Sequence, residues 1–350
     1  MAANIEELVT DFRVGTTINQ FIAAMERRVP NATGALSVVL MEIAVACKLI
    51  ASKIKRAGIA DILGKVEAEN STGDVQAKLD VQSNYLMKQR LMSTKYVLAY
   101  ISEEEEALTF ADPESKTAKF VVATDPLDGS SNVDVNVGVG TIFGIWERKT
   151  ERGTACDPDV DCLQRGRDMI ASGYVLYGSS VVFVLTVGAG SGVHEFTLDP
   201  ALGEFVLSRE FMTYPDKFKH YSVNEGNYAK WDSGVKNFVD YCKAVDKETN
   251  RPISARYIGS FVADFHRNLI YGGLYMYPAD SKNARGKLRV MYECAPLALL
   301  SEEAGGRATD GEVDILDIIP TGPHMRSPLY IGTTESVDLA GKFLSGEIEA

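Results

Sequence analysis

The stretch Val121 to Asn132, VVATDPLDGSSN, limits what the rest of the chain can build. An apolar run of β character, Phe120 to Val122, ends in two carboxylates, Asp125 and Asp128, around a Pro-Leu turn. Gly129, Ser130, Ser131 and Asn132 follow, so the segment reads as a strand that carries acids to a small-residue loop. Carboxylates and the turn carbonyl of Leu127 are hard oxygen ligands of the kind Mg²⁺ or Mn²⁺ takes. Gly129 and the two serines offer N–H and hydroxyl donors suited to a phosphate. An Asp-Pro turn with a solvated serine tip would use the same residues, so other segments must decide between the two.

Length and charge narrow the classes. A chain of 350 residues is long for one core, which predicts two subdomains in one globular unit. Its 36 basic and 48 acidic residues leave a net charge of −12, which argues against general binding to nucleic acid or to an anionic membrane. The longest uninterrupted apolar runs, such as Val181 to Val187, are strand-sized, so no membrane span is expected. The opening MAANIEELVTDF lacks the basic-then-apolar pattern of a signal peptide. The 5 scattered cysteines fit reduced thiols better than a disulfide framework. A cytoplasmic location is expected; a peroxisome-like organelle is the alternative, although the closing GEIEA carries no recognisable address.

Along the chain, Asn4 to Arg28 has helical spacing. A long amphipathic helix follows through Leu36, Val39, Leu40, Ile43, Cys47, Ile50 and Ile54, with Gly58 suited to a left-handed stop. Gly58 to Gly73 breaks the periodicity and reads as a long, functional loop. It leads into Asp74 and Asp80, whose even spacing puts both on one side of an extended segment; Asp80 also suits the N-cap of a following helix. Tyr96 to Ile101 reads as a strand that ends in Glu103 to Glu106, a second strand end delivering carboxylates. Strand-like segments continue through VDVNVGVGTIFGIWE, YVLYGSSVVFVLTV, VHEFTLDP and EFVLSRE. Between them, the polar insertion from Thr150 to Arg167 reads as a surface excursion in preference to a metal loop. The glycines of GAGSG, Gly188 to Gly192, join two strands and so do not form a dinucleotide fingerprint. From Phe211 the character changes, which divides the chain into 1–211 and 212–350. In the second part Asn224, Arg256, Tyr257, Tyr277 and Lys287 form an anion-binding set, and Glu293 stands just before an apolar helix that starts near Pro296.

The acids at strand ends and loops are Asp74, Asp80, Glu103, Glu104, Asp125, Asp128 and Glu293. If they converge, each adjacent pair costs about 4 kcal/mol at about 4 Å and an effective dielectric near 20. Cations would offset that repulsion, and a phosphate oxygen bridging them would be polarised for in-line attack by water. The 4 histidines, His194, His220, His266 and His324, are isolated, so neither zinc hydrolysis nor a serine–histidine nucleophile is supported.

The ordered motifs GD-x5-D (Gly73, Asp74, Asp80), SEE (Ser102 to Glu104), DPLDGSSN, NEG (Asn224 to Gly226), ARY-x-GS (Ala255 to Ser260), YGG-x3-YP, GKLR and YEC resemble fructose-1,6-bisphosphatase. That family belongs to the magnesium-dependent, lithium-sensitive phosphatases, and the likeness runs through nearly the whole chain. The resemblance implies an α/β (α+β) protein, a layered α/β/α/β/α sandwich of two subdomains with mixed, largely antiparallel sheets, assembled as a homotetramer. It implies two or three Mg²⁺ ions per subunit, with Mn²⁺ as a substitute, held by Asp74, Glu103, Glu104, Asp125, the Leu127 carbonyl, Asp128 and Glu293. Asp80 and Glu104 would activate the attacking water. Gly129, Ser130 and Ser131 would hold the 1-phosphate and Lys287 the sugar. Asn224, Tyr228, Arg256, Tyr257 and Tyr277 would hold the 6-phosphate, with Arg256 acting across a subunit interface.

The implied reaction is hydrolysis of fructose 1,6-bisphosphate to fructose 6-phosphate and phosphate, a step of gluconeogenesis. A seven-carbon sugar bisphosphate, an inositol phosphate and a catalytically silent sugar-phosphate or AMP sensor are the alternatives. Thr33, Gly34 and Lys119 match the family's inhibitory AMP site. Ala35, Phe120 and Glu147 depart from it at a usual glutamate, tyrosine and arginine; Arg148 is adjacent to Glu147, but one strand step normally reverses the side chain. Leu63, Phe261 and the inserted Asn227 are further departures.

Overall fold

The computed structural model describes residues 15–28, 32–59, 63–69, 75–112 and 115–348. Eight strands form one sheet, in the spatial order Glu204–Arg209, His194–Asp199, Val181–Thr186, Met169–Tyr177, Val139–Glu147, Phe120–Asp128, Val97–Ser102 and Thr109–Phe110. All neighbours are antiparallel except Val97–Ser102 and Phe120–Asp128, which run parallel. Those two strands therefore end on the same edge, and both of their ends carry acids. Every residue of Phe120–Asp128 is buried, as expected of a central strand covered on both faces.

The alternation of side chains divides the interior. Phe120, Val122, Phe143 and Ile145 face a cluster made with the helices Ile18–Glu26, Ala35–Ile54 and Lys78–Ser93. Val121, Ala123, Ile142 and Trp146 face the other way, onto the helices Phe261–Tyr271 and Ala295–Glu303. Those helices in turn lie on a five-stranded sheet ordered Ser254–Ala255, His220–Ser222, Gly273–Tyr277, Leu329–Thr333 and Gly306–Thr309. Its far side packs on the helices Ser233–Lys243 and Thr334–Leu344. The result is the expected α/β/α/β/α layering.

Several local expectations need correction. The first helix covers Ile18–Glu26, and the earlier part of Asn4 to Arg28 lies outside the described residues. Ala35–Ile54 is long and apolar enough by composition to cross a membrane, which the search for uninterrupted apolar runs had missed. Its apolar residues are core, with Val39, Ile43, Cys47 and Ile50 fully buried. The helix closes at Lys55 in a right-handed conformation, and Gly58 has no positive φ, so no left-handed glycine stop is used. The polar loop after it is not irregular throughout: Lys65–Glu69 pairs antiparallel with Val75–Ala77. Val133 to Val137 alternates like a strand but lies in and beyond a 3₁₀ turn, Ser130–Val135.

The insertion from Thr150 to Arg167 is anchored instead of merely exposed. Asp161 is fully buried and accepts hydrogen bonds from the N–H groups of Lys149, Thr150 and Asp157 and from the Thr150 hydroxyl. These donors hold the Asp161 carboxyl below the usual range, against the opposing effect of burial. Asp161→Ala leaves three backbone N–H groups without an acceptor, at a cost on the order of 3 kcal/mol. Chemical denaturation of the variant should show that loss; unchanged stability would mean water replaces the carboxylate.

Candidate active site

The helix Lys78–Ser93 begins where the chain leaves strand Val75–Ala77. Asp80 is its third residue, not its N-cap, and Asp80 Oδ2 accepts the Ala77 N–H at 2.7 Å. Its Oδ1 is buried and has no hydrogen-bond partner. Burial pushes the Asp80 carboxyl up to about 6, with the Ala77 N–H and Ser130 hydroxyl opposing and Glu103 adding to the shift. One turn on, Asn84 Oδ1 accepts from the hydroxyls of Tyr100 and Ser102, at 3.0 and 2.8 Å. Ser102 Oγ in turn accepts the Glu104 N–H at 3.2 Å. This buried network locks the turn that carries the acidic run.

The four glutamates of that run separate. Glu103 and Glu104 line a cleft of about 520 Å³. Glu105 turns back to Lys88, 2.8 Å away, and to Asn84 and Thr109, while Glu106 is exposed. Across the cleft, oxygens of Asp125, Asp128 and Glu293 all lie within 4.8 Å of one another, and all three residues are buried. Asp125 Oδ1 accepts the Leu127 N–H at 3.0 Å, which closes the Pro-Leu turn. Asp128 Oδ2 accepts from Ser260 Oγ at 3.0 Å and from the Val262 N–H at 2.8 Å. Burial, reinforced by the neighbouring carboxylates, raises all three carboxyls: Asp125 well above its ordinary value, Asp128 to about 6 and Glu293 to about 8.

Arg289 is the cation inside this cluster. It is buried, ion-paired with Glu103, and reaches Glu293 through both its N–H, at 2.6 Å, and its guanidinium. Burial opposes its charge, but Glu293 and Glu103 hold it well above the ordinary value. The GKLR motif does not by itself single out Arg289. Strand periodicity was the available signal, since Leu288–Arg289 is a strand and Lys287 and Arg289 are two apart.

Among the described residues, Lys287 and Arg289 are outnumbered by the acids lining the cleft, and the donor atoms there are oxygens, with no histidine or cysteine. Asp125, Asp128, Glu293 and the cleft-facing Glu103 therefore fit a hard divalent cation. Asp74 lies outside the described residues.

The remaining predicted residues divide in two. Gly129, Ser130, Ser131, Tyr257, Tyr277 and Lys287 line the same cleft as the acids, with Leu127. Gly129 has φ +73, and a Cβ there would stand 2.8 Å from Ser260 Cβ, so both conformation and space require glycine. Asn224, Tyr228 and Arg256 are not part of the cleft wall. Asn224 Oδ1 caps the Gly226 N–H, at 3.1 Å. The Tyr228 hydroxyl donates to Asp240 at 2.6 Å, and the Arg256 side chain is exposed and donates to the Ala255 carbonyl. Phe261 and Tyr275, which stack at 4.6 Å, and Asp134 complete the wall. Each of the four histidines stays outside it.

At the far end of the same sheet, Lys119 Nζ donates to Thr33 Oγ1 at 2.7 Å. Gly34, with φ +74, opens the helix Ala35–Ile54 beside Glu26, whose carboxylate accepts the Ser37 hydroxyl at 2.6 Å. Glu147 is exposed and pairs in register with Phe120. Arg148 is buried and donates to Thr150 Oγ1 and the Thr154 carbonyl in the insertion. Its guanidinium is therefore committed to the insertion, and Glu147 points to the opposite face, as successive strand side chains do.

Residues 16–210 match the model of the family described as Fructose-1-6-bisphosphatase, N-terminal domain, and residues 214–345 match that of its C-terminal domain. Among solved structures, the fructose-1,6-bisphosphatase of Leishmania major in holo form is 43% identical, with a TM-score of 0.88, covering 94% of this chain and 99% of that one. The same enzyme in T-state gives 41% identity and a TM-score of 0.84, and in apo form 40% and 0.83, each covering 95% of this chain and 99% of that one. With both family domains matched in order around an acid-lined cleft, the chain belongs to the fructose-1,6-bisphosphatase family.

Proposed function

We propose that the protein hydrolyses the 1-phosphate of fructose 1,6-bisphosphate to fructose 6-phosphate and orthophosphate, in the direction of gluconeogenesis. The observation that carries this reading is a single cleft lined both by the acids and by Lys287, Tyr257 and Tyr277. That combination of a cation site with cationic and hydroxyl donors suits a sugar phosphate. Mg²⁺ is the cation we assign, two or three ions to a subunit, held by Glu103, Asp125, Asp128, Glu293 and the Leu127 carbonyl, with Asp74 and Glu104 completing the set. When bound, it supplies Lewis-acid polarisation of the phosphoryl oxygens.

The chain's own residues do the rest. Ser130 and Ser131, with the N–H groups at the start of their 3₁₀ turn, hold the 1-phosphate. The free Asp80 Oδ1 and the Glu104 carboxylate orient water and accept its proton. A carboxyl lifted to about 6 is a stronger base than an ordinary aspartate and still ionised at neutral pH. Lys287 binds the sugar. Burial pushes the Tyr257 hydroxyl up to about 12, so it remains a donor for the 6-phosphate beside Tyr277. Arg256, which is exposed and outside its own cleft, would serve a neighbouring subunit in a homotetramer. Lys119 and Thr33 with Gly34 would receive AMP, in a site weakened by Ala35 and Glu147.

Orthophosphate release from fructose 1,6-bisphosphate, its seven-carbon analogue and inositol monophosphate tests the assignment, with Mg²⁺, with excess chelator, and with AMP added. Metal-dependent release strongest on fructose 1,6-bisphosphate is expected, with weak inhibition by AMP. No release from any of them by folded protein would leave a sugar-phosphate sensor.

A further inference from the structure

The helix Phe261–Tyr271 does more than separate two sheets. The segment before it, from Ala255 to Gly259, is exposed at every residue. Its backbone is nevertheless held from beneath. The Asp264 carboxylate, fully buried, accepts the Ile258 N–H at 2.9 Å and the Gly259 N–H at 3.2 Å. A single guanidinium nitrogen of Arg267 donates to Asp264 at 2.5 Å, to Ser222 Oγ at 2.8 Å and to the Arg256 carbonyl at 3.0 Å. Two side chains thus fix three successive points of an otherwise exposed loop.

Both ends of that loop reach the cleft. Tyr257 lines it directly. On the other side, Gly259 accepts from Asn132 Nδ2 at 3.2 Å, and Ser260 donates to Asp128. The loop therefore links Tyr257 mechanically to the acid Asp128.

Resting on the reading of the cleft given above, we propose that Asp264 and Arg267 are positioning residues that set substrate affinity and cation affinity together through this loop. Neither touches the reacting atoms. Asp264 acts on Ile258 and Gly259, next to the Ser260 hydroxyl that orients Asp128. Arg267 acts on Arg256, next to Tyr257. Groups that orient a ligating carboxylate in this way matter to cation binding as the ligand itself does, because a misaimed carboxylate loses its coordination geometry.

Asp264→Asn keeps the shape but turns an amide NH₂ toward groups that are all donors. Arg267→Lys keeps the charge, but its shorter side chain does not carry its nitrogen to the place that Nη2 takes among the three acceptors. In Asp264→Asn, the KM for fructose 1,6-bisphosphate and the Mg²⁺ concentration for half-activity are each expected to rise about 10- to 100-fold, with kcat at saturation changing far less. In Arg267→Lys, KM should rise about tenfold with a smaller change in the Mg²⁺ requirement. A purely structural role would lower kcat per milligram and leave KM and the Mg²⁺ requirement at parental values, which overturns the proposal. If Asp264→Asn does not fold, Arg267→Lys carries the test alone. Inactive parental enzyme would overturn the assignment of the reaction, whereas active parental enzyme with two kinetically unaltered variants would overturn only the positioning pair.

Discussion

Glu104→Gln should bind fructose 1,6-bisphosphate with Mg²⁺ present and turn it over about 10²- to 10⁴-fold more slowly than the parent. The amide keeps the size and the hydrogen-bonding reach of the side chain but cannot accept a proton. Its placement is rigid, because the Glu104 N–H is bonded to Ser102 Oγ and Ser102 is bonded to buried Asn84. The exchange should therefore alter chemistry without moving the strand end. Calorimetric titration of substrate onto the variant, alongside orthophosphate release, separates the two effects. Turnover within a few-fold of the parent would remove Glu104 from the water-activating role and leave Asp80, with its raised carboxyl and unpartnered oxygen, as the base.

Removing divalent cations should make the stability of the protein depend steeply on pH. Without a cation, Asp80 and Asp128 titrate near 6 and Glu293 near 8 in the folded state, against 3.8 and 4.5 for the unperturbed groups. A carboxyl whose folded value is raised binds its proton more tightly when folded. Its stabilising contribution is complete below about pH 4 and is lost as pH rises through 6 and then 8. The loss is on the order of 3 kcal/mol for each of Asp80 and Asp128. A cation replaces the proton as the balancing charge and should flatten the profile. The measurement is the difference in melting temperature with Mg²⁺ and with chelator at each pH from 5 to 9, which cancels groups remote from the site. A difference that fails to grow with pH would mean that the acids are not neutralised by the same ion.

Glu105, Arg148 and Asp161 are polar residues whose places are set by other polar residues. The acidic run was legible as a carboxylate source, yet which of its members face the cleft depends on Lys88 and Asn84 drawing Glu105 away. Arg148 stood one residue from the needed position and is spent on the insertion. Asp161 looked like part of a surface excursion and is a buried acceptor. In each case side-chain hydrogen bonds decide, and the apolar periodicity of the chain carries no record of them.

What the chain order determines by itself is the set of elements and their chemistry. Continuous apolar runs of β character that end in DPLDG and SEE make parallel strand ends bearing acids. Tertiary structure alone decides how the charges are balanced. Arg289 comes to lie among Glu103, Asp125 and Glu293 because Glu103, just past the strand Val97–Ser102, and Glu293 both pair with its guanidinium, and burial then amplifies every interaction in the cluster. Sequence shows how many acids there are; only packing shows how far water is excluded from them, and that exclusion makes the cluster a site for a cation and a phosphate.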